Sequence, residues 1–240
     1  MRRSIEEIQH ALDELSYEDA PRVELTSDLP SCRKLCVLDS SFNPPTRAHV
    51  RMLELANQKG TFDLNLLLLA KQNVDKKVFG ETLAHRVLMM ECLADSIPAT
   101  SVGVTAHGRF VDKAKALKEL FGSKCEVHFL LGFDTVIRLF DPKYYDDMDA
   151  ALQELFALAS VFFFNRQGSS PTDTQEFLQS PEARGFSQSL VFMELEDEYA
   201  AMSSTKARKA LELKQPSEAL IPNCVLELIR ERGFYRQVIT

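Results

Sequence analysis

The 240-residue sequence lacks several features that would assign it to a common functional class. It has no excess of basic residues, because 28 Lys and Arg against 35 Asp and Glu give a formal net charge of -7. Affinity for nucleic acid rests on neutralising phosphates, so this charge argues against a nucleic-acid-binding protein. Residues 64–70 form the most apolar run, which is far too short to span a bilayer. No signal sequence is visible where Met1 leads into a mixed charged segment.

The five cysteines lack the spacing of a zinc site or a disulfide framework. Their number is odd, and Cys32 and Cys36 do not form a CxxC pair. Four of the five lie in apolar segments, as expected for buried thiols in a reducing compartment: Cys36, Cys92, Cys125 and Cys224. The sequence therefore predicts a cytoplasmic or nuclear protein that binds neither a membrane nor nucleic acid.

Short apolar runs alternate with amphipathic helical patterns along most of the chain. Strands are predicted at 34–38, 64–70, 101–105, 125–131, 160–164 and 190–195, with helices between them and a loop at 167–174. This alternation predicts an α/β fold with a mostly parallel sheet and helices on both faces. Residues 1–33 begin with a capping-box spacing, Ser4 and Glu7, and are predicted to form a helical extension outside the core. Residues 34–240 are predicted to form the main domain.

The first candidate site lies between the predicted strand 34–38 and the helix that follows it. Pro44 and Pro45 stiffen the turn, Thr46 can cap the helix, and His49 can face the same first helical turn. A strand, a stiff turn and a helix start present backbone N–H groups to an anion. An ordinary strand-to-helix connection with a solvated histidine explains this stretch about equally well.

A second helix start carries the same kind of chemistry. Ser203, Ser204 and Thr205 precede a helical pattern, and Arg208 lies one turn further on, on the face of Ser204. Hydroxyl groups at a helix start can cap it and donate to phosphate oxygens, while the planar guanidinium suits a phosphate group. Such a run alone is usually a simple cap, but together with the first site it indicates a phosphate-binding protein.

Two further segments follow predicted strands at the edge of the sheet where ligands bind. Lys76 and Lys77 could hold a substrate phosphate, although on their own a solvated loop is the favoured interpretation. Gly132 lets the backbone approach a ligand, and Asp134 can accept hydrogen bonds from ribose hydroxyls or act as a plain N-cap.

At this point the sequence resembles a known family. The segment SFNPPTRAH at 41–49 is similar to the T/HxGH-type signature of the nucleotidylyltransferase superfamily, and MSSTKAR at 202–208 is similar to its ISSTxxR signature. Within the superfamily the sequence resembles the eukaryotic nicotinamide mononucleotide adenylyltransferases. The resemblance includes LGFD at 131–134, ALIP at 219–222 and RGFY at 232–235, and it extends from about residue 34 to residue 235.

The resemblance implies a Rossmann-like nucleotidylyltransferase fold and transfer of the adenylyl group of ATP to nicotinamide or nicotinate mononucleotide, with Mg²⁺ bridging the triphosphate. It implies catalytic roles for His49, Thr46 and Arg208. The other residues implied to bind ATP are Ser41, Phe42, Gly132, Asp134, Ser203, Ser204 and Thr205. Those implied to bind the mononucleotide are Ser40, Ser41, Lys76, Lys77, Tyr144, Tyr145 and Phe110.

The chain departs from the family pattern at the acceptor end. It has no tryptophan, so the pyridine ring is expected to rest on Tyr144, Tyr145 or Phe110. The glycine usual before Ser-Phe-Asn is Ser40 here. Two other functions stay open: a nucleotidylyltransferase with a different phosphate acceptor, and a nucleotide-binding interaction protein with residual ATP hydrolysis. The preference between nicotinamide and nicotinate and the oligomeric state are also open.

Overall fold

A computed structural model describes residues 3–28, 31–71, 80–166, 168–169 and 171–235. Its described residues form one seven-stranded sheet. The strands are β1 Val23–Leu25, β2 Lys34–Asp39, β3 Leu64–Ala70, β4 Thr100–Thr105, β5 Glu126–Gly132, β6 Ala159–Phe164 and β7 Leu190–Met193. Their order in the sheet is β1-β4-β3-β2-β5-β6-β7. β1 pairs antiparallel with β4, and every other neighbouring pair is parallel.

Helices cover both faces of this sheet, as the sequence predicts. They are α1 Ile5–Asp13, α2 Arg47–Lys59, α3 Leu83–Ala94, α4 Phe110–Phe121, α5 Phe133–Leu139, α6 Met148–Leu158, α7 Pro171–Gln179, α8 Pro181–Arg184, α9 Asp197–Ala200, α10 Ser204–Glu212 and α11 Asn223–Arg232. Alternate residues of each central strand enter two separate cores: Leu38 and Leu67 pack with α1, α2, α3, α10 and α11, whereas Val37 and Leu66 pack with α4, α5 and α6. The continuous apolar strands in the sequence reflect burial on both faces.

The direction of winding reverses beside β2. From β2 the chain moves outward through β3 to β4, then returns to the other side of β2 and continues through β5, β6 and β7. The connections that follow β2 and β5 therefore leave the sheet in different directions, one over each face. A crevice at the carboxyl ends of the strands results, which is where open α/β sheets bind ligands.

The described part of residues 1–33 differs from the predicted extension outside the core. Ile8, Leu12 and Leu15 are at most 2% exposed and belong to the main core beside α3. β1 adds an edge strand to the sheet, although three residues are too few to show a periodic pattern. Lys71 Nζ, at the end of β3, donates to the carbonyl oxygens of Leu12 and Leu15 at 2.8 and 3.0 Å. The segment is therefore part of the domain.

Several predicted boundaries are confirmed and one loop is not. β3 has the predicted ends, and Thr46 stands at the N-cap of α2, as predicted. The predicted loop at 167–174 is wrong from Pro171 onward, because α7 begins there; proline suits the first position of a helix, where its missing N–H costs nothing. Among the described residues, no helix is long and apolar enough to cross a membrane.

Candidate active site

A cleft of about 350 Å³ opens at the carboxyl ends of β2 and β5. Thirteen of the residues predicted for the site line it: Ser40, Ser41, Thr46, His49, Phe110, Gly132, Asp134, Tyr144, Tyr145, Ser203, Ser204, Thr205 and Arg208. Residues from β2, α2, α4, α5 and α10 thus meet around one space, although the first and last of them are more than half the chain apart in sequence.

Positive charge is concentrated on the wall of this cleft. Among the described lining residues the basic ones are Lys71, Arg86, Arg109, Lys113, Arg138, Arg166 and Arg208, against the acidic Asp39 and Asp134. The chain as a whole has a formal charge of -7, so the cations are focused where a ligand would bind. Such focusing draws an anionic ligand to an otherwise acidic protein.

The imidazole of His49 is held in one tautomer by its neighbours. The backbone N–H of Thr46 donates to Nδ1 at 2.9 Å, and Thr46 Oγ1 lies 3.0 Å from the same nitrogen. Because Nδ1 accepts, the neutral ring carries its proton on Nε2, which lies 3.1 Å from Ser40 Oγ on the cleft side. Thr46 therefore orients His49, and His49 presents one N–H donor toward the ligand space.

His49 is a neutral donor at physiological pH. Burial lowers its pKa to about 3, and the positive charge of Arg166 contributes in the same direction. The side chain of Phe42 packs against the imidazole, with ring centroids 5.1 Å apart. Phe42 is fully buried and is not among the residues that line the cleft, so its contact with ATP stays a prediction.

The two predicted helix starts are joined directly. Ser204 Oγ donates to the carbonyl oxygen of Pro44 at 2.8 Å, and Arg208 Nη1 donates to that of Asn43 at 2.5 Å. Ser203 caps α10 by accepting from the backbone N–H of Lys206 at 3.2 Å. The amino ends of α2 and α10 therefore open on the same cleft. Each helix amino end carries partial positive charge, which favours phosphate oxygens.

Arg166, which the prediction of the site omitted, joins α5 to α10. Its Nη1 donates to the carbonyl oxygen of Met202 at 3.2 Å, and its Nε lies 3.8 Å from Asp134 Oδ1. A Cβ atom on Gly132 would lie 2.6 Å from Asp134 Oδ1 and 2.8 Å from Arg166 Nε. A larger residue here would therefore displace these two side chains, while the φ of -76° is open to any residue. A basic residue two positions after a predicted strand was the available signal for Arg166.

The opposite wall of the cleft contains a second pair that the sequence did not reveal. Lys113 Nζ, in the first turn of α4, lies 2.7 Å from Asp39 Oδ2 at the end of β2. The same ammonium lies 4.6 Å from the centroid of the Phe110 ring. Tyr145 also lines this wall, where its hydroxyl donates to the carbonyl oxygen of Leu139 at 2.8 Å and burial raises its pKa to about 12.

The side chain of Asn43 holds the turn that precedes α2 in place. It is 1% exposed, and its Oδ1 accepts from the Tyr235 hydroxyl at 2.9 Å and from the Glu81 backbone N–H at 3.4 Å. The carboxyl end of the described chain thus supports the turn that holds Thr46 and His49. The predicted phosphate ligands Lys76 and Lys77 lie outside the described residues, so their role stays a prediction.

These features define a nucleotidylyltransferase-type α/β protein: a reversal point in a parallel sheet, two convergent helix starts and a neutral histidine between them. The chain belongs to the cytidylyltransferase-like family, which it matches over residues 37–210. Within that family it groups with the nicotinamide mononucleotide adenylyltransferases. A Schizosaccharomyces pombe protein assigned by name to that group is 33% identical over 222 residues, covering 86% of this chain and 88% of the relative.

Other similar proteins carry related names. A Desulfotalea psychrophila protein assigned as a nicotinate-nucleotide adenylyltransferase is 26% identical over 214 residues, which cover 85% of this chain and all of that protein. Among solved structures, Plasmodium falciparum nicotinic acid mononucleotide adenylyltransferase complexed with NaAD aligns with a TM-score of 0.63 and 17% identity. That alignment covers 85% of this chain and 97% of the other. It confirms the predicted Rossmann-like fold.

Proposed function

We propose that this protein transfers the adenylyl group of ATP to nicotinamide or nicotinate mononucleotide and releases pyrophosphate. The observation that carries the proposal is the neutral Nε2–H donor of His49, placed between the amino ends of α2 and α10. The S. pombe relative, at 33% identity, is named for this reaction. The mononucleotide phosphate is ionised at neutral pH, so the reaction needs alignment and charge stabilisation and no general base.

In this proposal the two substrates bind on opposite sides of β2. Gly132 and Asp134 follow β5, where a carboxylate can accept hydrogen bonds from the ribose of ATP. Phe110 begins α4 after β4, which lies on the other side of β2 and offers room for the mononucleotide. The α-phosphate of ATP and the acceptor phosphate then meet at the turn between them, beside Ser40 and Ser41.

Negative charge grows on the pyrophosphate as it leaves. The Nε2–H of His49 would donate to an oxygen between the α- and β-phosphates, where this charge develops. Arg208 and the hydroxyl groups of Ser203, Ser204 and Thr205 would hold the β- and γ-phosphates at the amino end of α10. Arg208 is suited to this task because its contacts to Asn43 and Thr205 fix the guanidinium at the cleft wall.

ATP would enter as its magnesium complex. Among the described residues there is no group of three or more His, Cys, Asp or Glu side chains that could hold a metal ion. Mg²⁺ usually keeps several waters and binds the phosphates of its substrate, so the residues present fit an ion carried by the triphosphate. The ion would neutralise charge on the phosphates. Asp134 is the carboxylate of the cleft that could approach it, because no cation lies closer to Asp134 than 3.6 Å.

The test is a product assay. The protein is incubated with magnesium and ATP together with nicotinamide mononucleotide, nicotinate mononucleotide or another phosphate acceptor, and the products are identified by mass. We expect a dinucleotide and an equal amount of pyrophosphate with a pyridine mononucleotide. ADP and phosphate without a dinucleotide would favour a nucleotide-binding interaction protein, and a product with another acceptor alone would favour a different nucleotidylyltransferase.

A further inference from the structure

The ion pair between Asp39 and Lys113 has an unusual setting. Its ammonium and carboxylate atoms are 2.7 Å apart, while the two side chains are only 2% (Lys113) and 14% (Asp39) exposed. Both residues nonetheless line the cleft. Asp39 ends β2 and directly precedes Ser40 of the phosphate turn, and Lys113 extends from the first turn of α4. The pair is therefore a charged element of the cleft wall itself.

Stability is a poor explanation for this pair. Removing both charges from water costs about as much as their attraction returns, so a buried pair is often no better than apolar side chains of similar size. The same helix provides a contrast, because Lys115 pairs with Glu154 at 2.7 Å with the side chains about half exposed. A surface pair could have connected α4 to its neighbours. The burial of Asp39 and Lys113 at the cleft wall points to a ligand.

The pair lies at the end of the cleft assigned to the acceptor. Lys113 Nζ rests 4.6 Å from the centroid of Phe110, a ring predicted to stack on the pyridine; both belong to the start of α4, which follows β4, and the Phe110 ring also packs against Phe129 of β5 at 5.3 Å. The ATP ribose is assigned to Gly132 and Asp134 on the β5 side. With the pyridine ring on Phe110, the polar group that meets the pair would be part of the mononucleotide.

The chemistry of the pair distinguishes the two pyridine mononucleotides. A carboxamide offers a carbonyl acceptor and an NH₂ donor side by side, which match an ammonium donor beside a carboxylate acceptor. A nicotinate carboxylate offers acceptors alone, and it would place a second negative charge beside Asp39 in a poorly solvated site. We propose that Asp39 and Lys113 bind the carboxamide and select nicotinamide mononucleotide over nicotinate mononucleotide. This inference rests on the proposed function.

The test compares kcat/KM for the two mononucleotides at saturating ATP. For the wild-type protein we expect nicotinamide mononucleotide to be favoured at least tenfold, about the effect of 1.4 kcal/mol. Asp39→Asn removes the repelling charge and leaves Lys113 to pair with a carboxylate. In that variant the preference should fall at least tenfold, mainly through a lower KM for nicotinate mononucleotide. Glu154→Gln is the matched control, since it breaks the exposed pair between Lys115 of α4 and Glu154 of α6 and should leave the preference unchanged.

A second variant guards against misfolding of the first. Asp39→Asn combined with Lys113→Met removes both charges, and it should bring the two kcat/KM values close together. A structural role for the pair would lower both values equally and leave the preference unchanged. That result, in a variant whose thermal melt shows it is folded, would overturn the proposal, as would a wild-type protein that uses both substrates equally. If neither mononucleotide yields a dinucleotide, the proposed function is wrong, and this inference, which rests on it, is wrong as well.

Discussion

Replacing His49 by alanine, asparagine and glutamine separates the two hydrogen bonds of its ring. Nδ1 accepts from Thr46 at 2.9 Å, and Nε2 presents the proton at the cleft. Asparagine can keep an acceptor near the Nδ1 position but has no group that reaches Nε2. Glutamine is longer and can place an N–H donor near Nε2. The three variants therefore test whether the donor or the acceptor matters for turnover.

The size of the effect follows from the chemistry of the leaving group. Removal of one donor to a charge that develops in the transition state lowers kcat on the order of 10²–10³, or about 2.7–4 kcal/mol. We expect this loss for His49→Ala and His49→Asn, and at least about tenfold recovery for His49→Gln because it restores one donor. The KM for ATP should change little in all three variants, since the bond strengthens only as the pyrophosphate leaves.

The assay is the initial rate of pyrophosphate release at saturating substrates, measured between pH 5 and 9. Because the pKa of His49 is lowered to about 3, any loss of rate on the acid side should come from the substrate phosphate, whose second pKa is about 6. The same acid limb should persist in His49→Gln. An acid limb that disappears in this variant, or a His49→Ala rate close to wild type, would refute a neutral donor at this position.

Further predictions concern stability and the other walls of the cleft. The pKa of His49 is lower in the folded than in the unfolded chain, so the unfolded chain binds more protons between pH 6.5 and 3; urea unfolding should show a free energy of unfolding that decreases as the pH is lowered through this range, with His49 contributing up to about 1.4 kcal/mol per pH unit, and the decrease should be smaller by that contribution in His49→Gln. Gly132→Ala should raise the KM for ATP by displacing the Asp134 and Arg166 side chains; an unchanged KM would show that they shift without consequence. Arg208→Lys should weaken ATP binding and turnover, because lysine cannot form both contacts of the guanidinium. Calorimetry measures the affinity for ATP, and an affinity equal to that of the wild type would contradict this prediction. Tyr144→Leu and Tyr145→Leu, made separately, should raise the KM for the mononucleotide and leave that for ATP nearly constant; if neither does so, the pyridine ring rests elsewhere.

The parts of the fold that the sequence predicted are those with local signals. β3 is a continuous apolar run, and α4 has an amphipathic pattern that ends at Gly122. β1 was missed because its three residues are held by pairing with β4 and show no pattern of their own. The parts of the site carried by motifs, such as His49 and the Ser203 helix start, were predicted and line the cleft.

Contacts made by the tertiary fold could not be read from the chain. Asp39 and Lys113 are far apart in sequence, and only the packing of α4 near the end of β2 brings their charged atoms to 2.7 Å. The burial of α1 was also hidden, because an amphipathic stripe predicts a buried face without naming its partner. Phe42 lies within a motif that lines the cleft, yet its side chain faces the core. Residue type and spacing indicated the chemistry, while the sheet order decided which side chains meet.

The most direct test of the proposed reaction follows the oxygen atoms of the acceptor. Nicotinamide mononucleotide carrying heavy oxygen in its 5′-phosphate is incubated with magnesium and unlabelled ATP, and both products are weighed by mass spectrometry. If the acceptor phosphate attacks the α-phosphorus, all of the heavy oxygen appears in the dinucleotide and the pyrophosphate is unlabelled. Labelled acceptor recovered unchanged beside ADP and phosphate would contradict adenylyl transfer by this protein.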